Sequence, residues 1–186
     1  MFKVNHVHER RKNMIHVFFD LDGVIFKFNF GASEEEIHTP GYFESLEEDQ
    51  LVVNAIKNLF YGDVAKIDNV KFHILSAAFN PTAVEEKKRA VKRIGLGSID
   101  QIYLPYGTDK SKYVSHLGGK FILVDDFTKN LIAWGNAGEN FIPVKYLNGG
   151  NDTHQSFKGV RVGLCDQDTF EKELLALIQV EGAAHG

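Results

Sequence analysis

Phe18-Phe19-Asp20-Leu21-Asp22-Gly23-Val24 is the stretch whose reading decides the fold. Met14 to Phe19 is a short apolar run, mostly β-branched or aromatic, and it reads as a strand buried on both faces. It stops at an acid, meets a second acid two residues on, and then a glycine. Side chains two apart on extended chain point the same way, so both carboxylates face one space beyond the strand's C-terminal end. In an open α/β sheet that is where ligands bind. Two carboxylates held there repel unless a cation or a proton sits between them, which suggests a metal site with acid/base capacity. Taken alone, the stretch also fits a solvated turn in which Asp and Gly serve only the turn geometry. An EF-hand loop is excluded, because Val24 falls where an oxygen ligand is required and Ile25 where the glycine is.

Working outward, the chain alternates strands and helices. Phe26 to Phe30 alternates like a half-buried strand or hairpin arm, and Gly31 to Pro40 is a polar, acidic surface segment. From Asp49 a helix carries Val52, Ala55, Ile56, Leu59 and Phe60 on one face, with Gly62 at its end. Val70 to Leu75 is a second strand, closed by Ser76 and followed by Ala77 and Ala78. Asn80-Pro81 opens a helix with Val84, Val91 and Ile94 inward, its run Glu85 to Arg89 reading as a solvated face. Ile102 to Leu104 is a short third strand. Thr108 or Asp109 caps the next helix, which carries Lys110 in its first turn. Phe121 to Val124 is again wholly apolar and again ends in acids, Asp125 and Asp126. After a helix from Thr128, Phe141 to Leu147 is a strand whose Pro143 places it near an edge or at its own start. Val160 to Leu164 is an edge strand, and Asp168 with Glu171 signals a last helix facing inward with Phe170, Leu174, Leu177 and Ile178. The spacing predicts an α/β fold: a Rossmann-like parallel sheet flanked by helices on both faces, formed by one domain over 1–186.

Composition narrows the function classes. With 44% hydrophobic and 25% charged residues the chain is not a candidate for disorder, and its formal charge of −4 gives no general attraction to nucleic acid or anionic membrane. The lone Cys165 rules out an internal disulfide. No apolar run approaches membrane-spanning length, and the basic start (Lys3, Arg10, Arg11, Lys12) leads into a strand, so a cytoplasmic protein is expected. His6 and His8 belong to a polar tail. His16, His38, His73, His116, His154 and His185 are scattered singly, without metal-ligand spacing, as ordinary core or surface residues.

If the strands ending at Asp20, Ser76 and Asp125 lie side by side and parallel, their polar ends gather at one edge of the sheet. Four carboxylates there (Asp20, Asp22, Asp125, Asp126) need a divalent cation, and hard oxygen ligands favour Mg²⁺. A serine and a lysine nearby supply a donor and a positive charge for an anion, most naturally phosphate. The combination describes phosphoryl transfer to a carboxylate.

In this order Asp20-Leu21-Asp22-Gly23-Val24, the strand ending in Ser76, Lys110, and Phe121 to Asp126 resemble the four motifs of the haloacid dehalogenase-like superfamily, over roughly Met14 to Leu147. The resemblance implies that Asp20 is a nucleophile forming an aspartyl-phosphate. Asp22 is then general acid for the leaving oxygen and afterwards general base for water. Ser76 holds a phosphoryl oxygen, and Lys110 neutralises charge on phosphate and nucleophile; Lys112, Lys87 and Lys88 are the other lysines in reach. Asp125 binds Mg²⁺ with Asp20 and the backbone carbonyl of Asp22, and Asp126 acts through a water or positions its neighbours. In that superfamily an acid at the position of Asp22 favours phosphohydrolases over the dehalogenases, which lack it, and the pumping ATPases, which carry threonine.

Thr39 to Leu46 is similar to the stretch before the core helix of cytosolic 5′(3′)-deoxyribonucleotidases, where aromatic residues line the nucleoside pocket. The likeness puts Phe28, Tyr42 and Phe43 against a base or sugar, with Ala77 beside them, and makes a (deoxy)ribonucleoside monophosphate the model substrate. The same aromatics also serve as a seal between lid and core. Those nucleotidases insert a helical cap after the first acid pair; here residues 27–48 form only a very small cap or flap. Either a second copy of the chain completes the open site, or the substrate is bulkier or of another class. The expected activity is a Mg²⁺-dependent phosphomonoesterase, with no nucleic-acid polymer or membrane as partner. A phosphomutase or other phosphoryl transferase, and a phosphate- or metal-binding module without turnover, are the alternatives.

Overall fold

The computed structural model describes residues 14–62, 69–150, 157–163 and 166–183. His6, His8, His154, His185, Cys165 and the basic start lie outside the described residues. The first strand, β1 (Ile15–Phe19), is buried at all five positions. A tight turn follows, in which the amides of Val24 and Phe26 both donate to the Leu21 carbonyl. Residues 27–48 then leave the sheet and carry two short helices, α1 (Glu34–His38) and α2 (Tyr42–Ser45). Ser33 and Glu36 close a capping box on α1. The base of this flap is pinned: Phe26 bridges Glu48, Lys27 N donates to Glu47 O, and Asp49 N donates to Ile25 O. The strand expected over Phe26 to Phe30 is reduced to isolated bridges at Phe26, one to Asp22 and one to Glu48. Beyond Lys27 no strand among the described residues runs alongside to satisfy the ladder, and Phe30 stands exposed.

The chain continues through α3 (Gln50–Tyr61), β2 (Val70–Ala78), α4 (Pro81–Arg93), β3 (Asp100–Pro105), α5 (Ser111–Val114) with one 3₁₀ turn, β4 (Lys120–Asp125), α6 (Thr128–Gly135), β5 (Phe141–Leu147), β6 (Val160–Gly163) and α7 (Gln167–Ala183). Among the described residues the six strands form one all-parallel sheet in the order β3-β2-β1-β4-β5-β6. Parallel pairing needs crossovers, and helices therefore cover both faces. Ile15, Val17 and Phe19 pack with α3, α4 and α7; Phe18 packs on the other face with Val114, Leu131 and Trp134. No described helix is long and apolar enough to cross a membrane.

Several local expectations shift. β2 runs two residues past Ser76, because Ser76, Ala77 and Ala78 pair with β3. Pro143 sits third in β5, whose pairing with β6 begins only at Val144, so no neighbour on that side is asked to receive its missing N–H. The helix expected from Thr108 or Asp109 is one α turn plus one 3₁₀ turn, with Asp109 accepting from the Ser111 amide. The last helix is capped by Asp166 rather than Asp168, its carboxylate taking the amide and hydroxyl of Thr169.

His16 and His73 are not independent core residues. On adjacent strands their rings stack 5.1 Å apart, with Nδ1 of His16 2.9 Å from Nε2 of His73. Burial, reinforced by the charge of the neighbouring ring, pushes His16 down to about 4, and burial does the same to His73. An unfolded histidine titrates near 6.5, so the stability these neutral rings contribute is present above that pH and is lost as pH falls through about 4. Thermal melts between pH 7.5 and 4.5 should therefore show the wild type losing several degrees more than a His16→Phe/His73→Leu variant.

Candidate active site

β1 lies between β2 and β4, so the three strands that end in polar groups are neighbours. Register places Phe19 opposite Ile74 and Val124, which sets Asp20 beside Asp125, and the Asp20 amide donates to the Val124 carbonyl. Ser76 is wholly buried one step further along β2. The short α5 turns Lys110 back over these ends. Its Nζ lies 2.7 Å from Asp125 and 3.1 Å from Asp20, while Lys112 stays exposed beside Asp109. Burial opposes the Lys110 ammonium, but the carboxylates of Asp125 and Asp20 outweigh it and hold the lysine above its ordinary value.

Asp20, Asp125 and Asp126 bring one carboxylate oxygen each within 4.8 Å of one another, all buried. Asp20 is pushed up to about 6, first by burial and then, against the pull of Lys110, by Asp125 and Asp22. Asp126 is pushed up to about 8 by burial and by the charges of Asp125 and Asp20. Lys110 between Asp20 and Asp125, Lys87 on Asp22 and Lys145 at Asp126 are three cations facing four carboxylates, and Oδ1 of Asp22 is buried without a hydrogen-bond partner among the described residues. Such a hard-oxygen set fits a divalent cation. Asp20, Asp125 and Asp126 are the side chains that would hold it.

Asp125 is fixed by three donors: the Phe127 amide, the Asn130 side chain and Lys110. Asp126 accepts from Asn148, which also donates to the Gly23 carbonyl, and the buried Lys145 donates to the Asp126 carbonyl and to Thr128. Gly23 is required here twice over. Its φ is +81°, and a Cβ would stand 2.2 Å from an oxygen of Asp126. Gly23→Ala should cost roughly 1–2 kcal/mol in backbone strain. It should also displace Asp126 and weaken divalent-cation binding at least tenfold by calorimetric titration.

The helix face over Glu85 to Arg89 is not wholly solvated. Glu86 and Lys87 are buried, and Lys87 Nζ lies 2.5 Å from Asp22, 2.5 Å from the Ala77 carbonyl and 3.1 Å from Ser76 Oγ. Positions 83, 87, 90 and 91 share one stripe of α4, and three of them are Ala or Val. The helical period therefore carried the signal that the charge run obscured. Lys145 was readable in the same way, as a lone charge inside an apolar strand. Asn148 carried a weaker signal, the first polar residue beyond β5.

The four positions expected at the substrate differ in placement. Phe28 is half-buried and meets Phe30 and Tyr42 edge-on. Tyr42 is half-buried, its phenol raised by burial and by the charges of Asp22 and Glu36. Phe43 is 3% exposed, with the Lys87 ammonium 4.5 Å over its ring, which is the position of a core residue. Ala77 reaches the site through its carbonyl. Phe30 instead borders an apolar cavity of about 670 Å³ with Asp126, Phe127, Ile132 and Ala133.

No protein-family model matches the chain, and no curated protein matches it. Solved structures do. A Burkholderia xenovorans protein described as a haloacid dehalogenase-like hydrolase is similar over 88% of this chain and 98% of its own, at 14% identity and a TM-score of 0.58. The HAD domain of the effector protein Lem4 from Legionella pneumophila, in its inactive-mutant form, is similar over 92% of this chain and 98% of its own, at 18% identity and a TM-score of 0.52. The chain has the haloacid dehalogenase-like fold. In this chain the acid pair after β1 and the acids ending β4 lie on adjacent central strands.

Proposed function

We propose that this chain is a single-domain, Mg²⁺-dependent phosphomonoesterase that works through an aspartyl-phosphate. The convergence of Asp20, Asp22, Ser76, Lys110 and Asp125 at the C-terminal ends of three adjacent parallel strands is the observation that carries this reading. Asp20, Asp125 and Asp126 would hold Mg²⁺, which when bound would neutralise charge on the phosphoryl oxygens.

The chain's own groups account for the rest. The Asp20 carboxylate attacks phosphorus and forms the acyl phosphate as the ester oxygen departs. Asp22, as a carboxylic acid, gives its proton to that oxygen. Water then attacks phosphorus, Asp22 takes the proton back, and inorganic phosphate leaves with Asp20 restored. Lys110 faces both the nucleophile and the phosphoryl group, where its fixed charge stabilises negative charge as it develops. Ser76 offers a hydroxyl two residues before the end of β2 for a phosphoryl oxygen.

The substrate is a small phosphate monoester such as a (deoxy)ribonucleoside monophosphate, met by Phe28 and Tyr42 from the flap. The open side next to Phe30 leaves room for a second copy of the chain or for a bulkier ester, and the cytoplasm is the compartment that fits this chemistry. Purified protein with Mg²⁺ should release inorganic phosphate from aryl and nucleoside monophosphates without an acceptor. EDTA should stop the release, and added Mg²⁺ should restore it. Phosphate appearing only when an acceptor is supplied would instead favour a phosphoryl transferase.

A further inference from the structure

Lys87 has no place in the mechanism above, yet it is 2% exposed and every one of its N–H donors is used. Asp22 Oδ2, the Ala77 carbonyl and Ser76 Oγ take one each. An ammonium has three donors, so Nζ cannot turn to a phosphate without releasing one of these partners. The two oxygens of Asp22 are therefore unequal: Oδ2 is held by Lys87, and Oδ1 has no partner among the described residues. The preceding residue faces the flap. Glu86 accepts the amides of Gly41 at 2.7 Å and Phe43 at 3.2 Å, while the Phe43 ring lies beneath the Lys87 ammonium. Two consecutive residues of α4 thus join the seat of the flap to the orientation of Asp22.

We propose that Lys87 is the positioning residue that holds Oδ2 of Asp22 and leaves Oδ1 to serve the leaving-group oxygen, and that Glu86 makes this orientation depend on the seating of residues 41–43. The proposal rests on the phosphatase reading for its chemistry. Proton transfer to the leaving group matters little for para-nitrophenyl phosphate, whose leaving group is stable as an anion, and greatly for an alkyl phosphate. Lys87→Met should lower kcat on the nitrophenyl ester by about 10-fold or less and on an alkyl ester by a further 10²-fold or more, the order of magnitude that a positioned general acid supplies.

Equal losses on the two esters would reduce Lys87 to a structural residue and overturn the proposal. Lys87→Gln, which keeps part of the hydrogen bonding, should move the ratio the same way by less, and it provides the measurement if the Met variant does not fold. Glu86→Gln, which loses one of two acceptors, should raise KM and shift the same ratio modestly; an unchanged ratio removes Glu86 from the proposal. The crystal structure of a Lys87 variant decides the geometric part without turnover. Asp22 should leave its position there, and an unmoved carboxylate overturns the proposal. A wild-type protein that hydrolyses no ester defeats the phosphatase reading alone, because that crystallographic comparison still stands.

Discussion

Asp20→Asn should abolish hydrolysis of para-nitrophenyl phosphate, by roughly 10⁴-fold or more, and at the same time make the metal-free protein more stable. The first effect follows from removing the atom that forms the covalent bond to phosphorus. The second follows from the surroundings of that atom. Burial and the neighbouring carboxylates raise Asp20 to about 6, so its ionised form is disfavoured in the folded state. The sign is that of a raised acid: below 3.8 the folded and unfolded chains are both protonated and nothing is lost. Stability falls as pH rises from 3.8 to about 6, the range in which the unfolded chain has given up the proton and the folded chain still holds it. At pH 8 the penalty is fully present, and an amide removes it while Asp125 remains to pair Lys110. A gain of about 1–2 kcal/mol would raise Tm by roughly 3–6 °C. Thermal melts at pH 5 and pH 8 in EDTA read the difference directly. A variant that melts with the wild type at both pH values would show that the carboxylate crowd is relieved in some other way.

Lys110→Met should act in the opposite direction on stability and in the same direction on turnover. Its ammonium is the charge within reach of both Asp20 and Asp125, and all three groups are buried. Removing one partner of a buried ionic cluster leaves uncompensated charge, a loss of about 3–5 kcal/mol in comparable sites. Divalent cation should return much of that loss by binding among the same carboxylates. The variant should therefore gain more in Tm from Mg²⁺ than the wild type does. Turnover should fall roughly 10²- to 10³-fold even at saturating Mg²⁺, since the fixed positive charge aimed at the transferring group is gone. Lys112→Met is the matching control. Its side chain is exposed and reaches only as near as 4.0 Å to Asp109, away from the carboxylate cluster, so activity should be unchanged.

These contrasts show where the sequence was legible. β1 and β4 announced themselves as largely apolar runs halted by acids, because strands covered on both faces admit a polar residue before they leave the core only where it finds a partner, as His16 does in His73. The alternation of strand and helix then allowed little besides a parallel sheet. The capping of α4 by Asn80 and Pro81 was equally local, and it appears as expected. What failed were inferences about faces drawn from charge alone. Glu86 and Lys87 sit in a run of five charged residues and are nonetheless buried, because Glu86 receives two flap amides and Lys87 a carboxylate, a carbonyl and a hydroxyl. The flap escaped for a similar reason. Its alternating pattern promised a strand, but a strand needs a neighbour, and beyond Lys27 none among the described residues is paired with it.

By itself, then, the order of residues determined the α/β architecture, the ends of the strands and the types of group gathered there, since each depends on short-range periodicity and on which side chains tolerate burial. The tertiary structure alone decided that β1 runs between β2 and β4, that Lys110 rather than Lys112 turns inward, and that Lys87 meets Asp22. Those outcomes depend on strand order, on helix rotation and on contacts such as that of Lys87 with Asp22, 65 positions apart, and a local pattern carries no information about which distant partner will satisfy a buried charge.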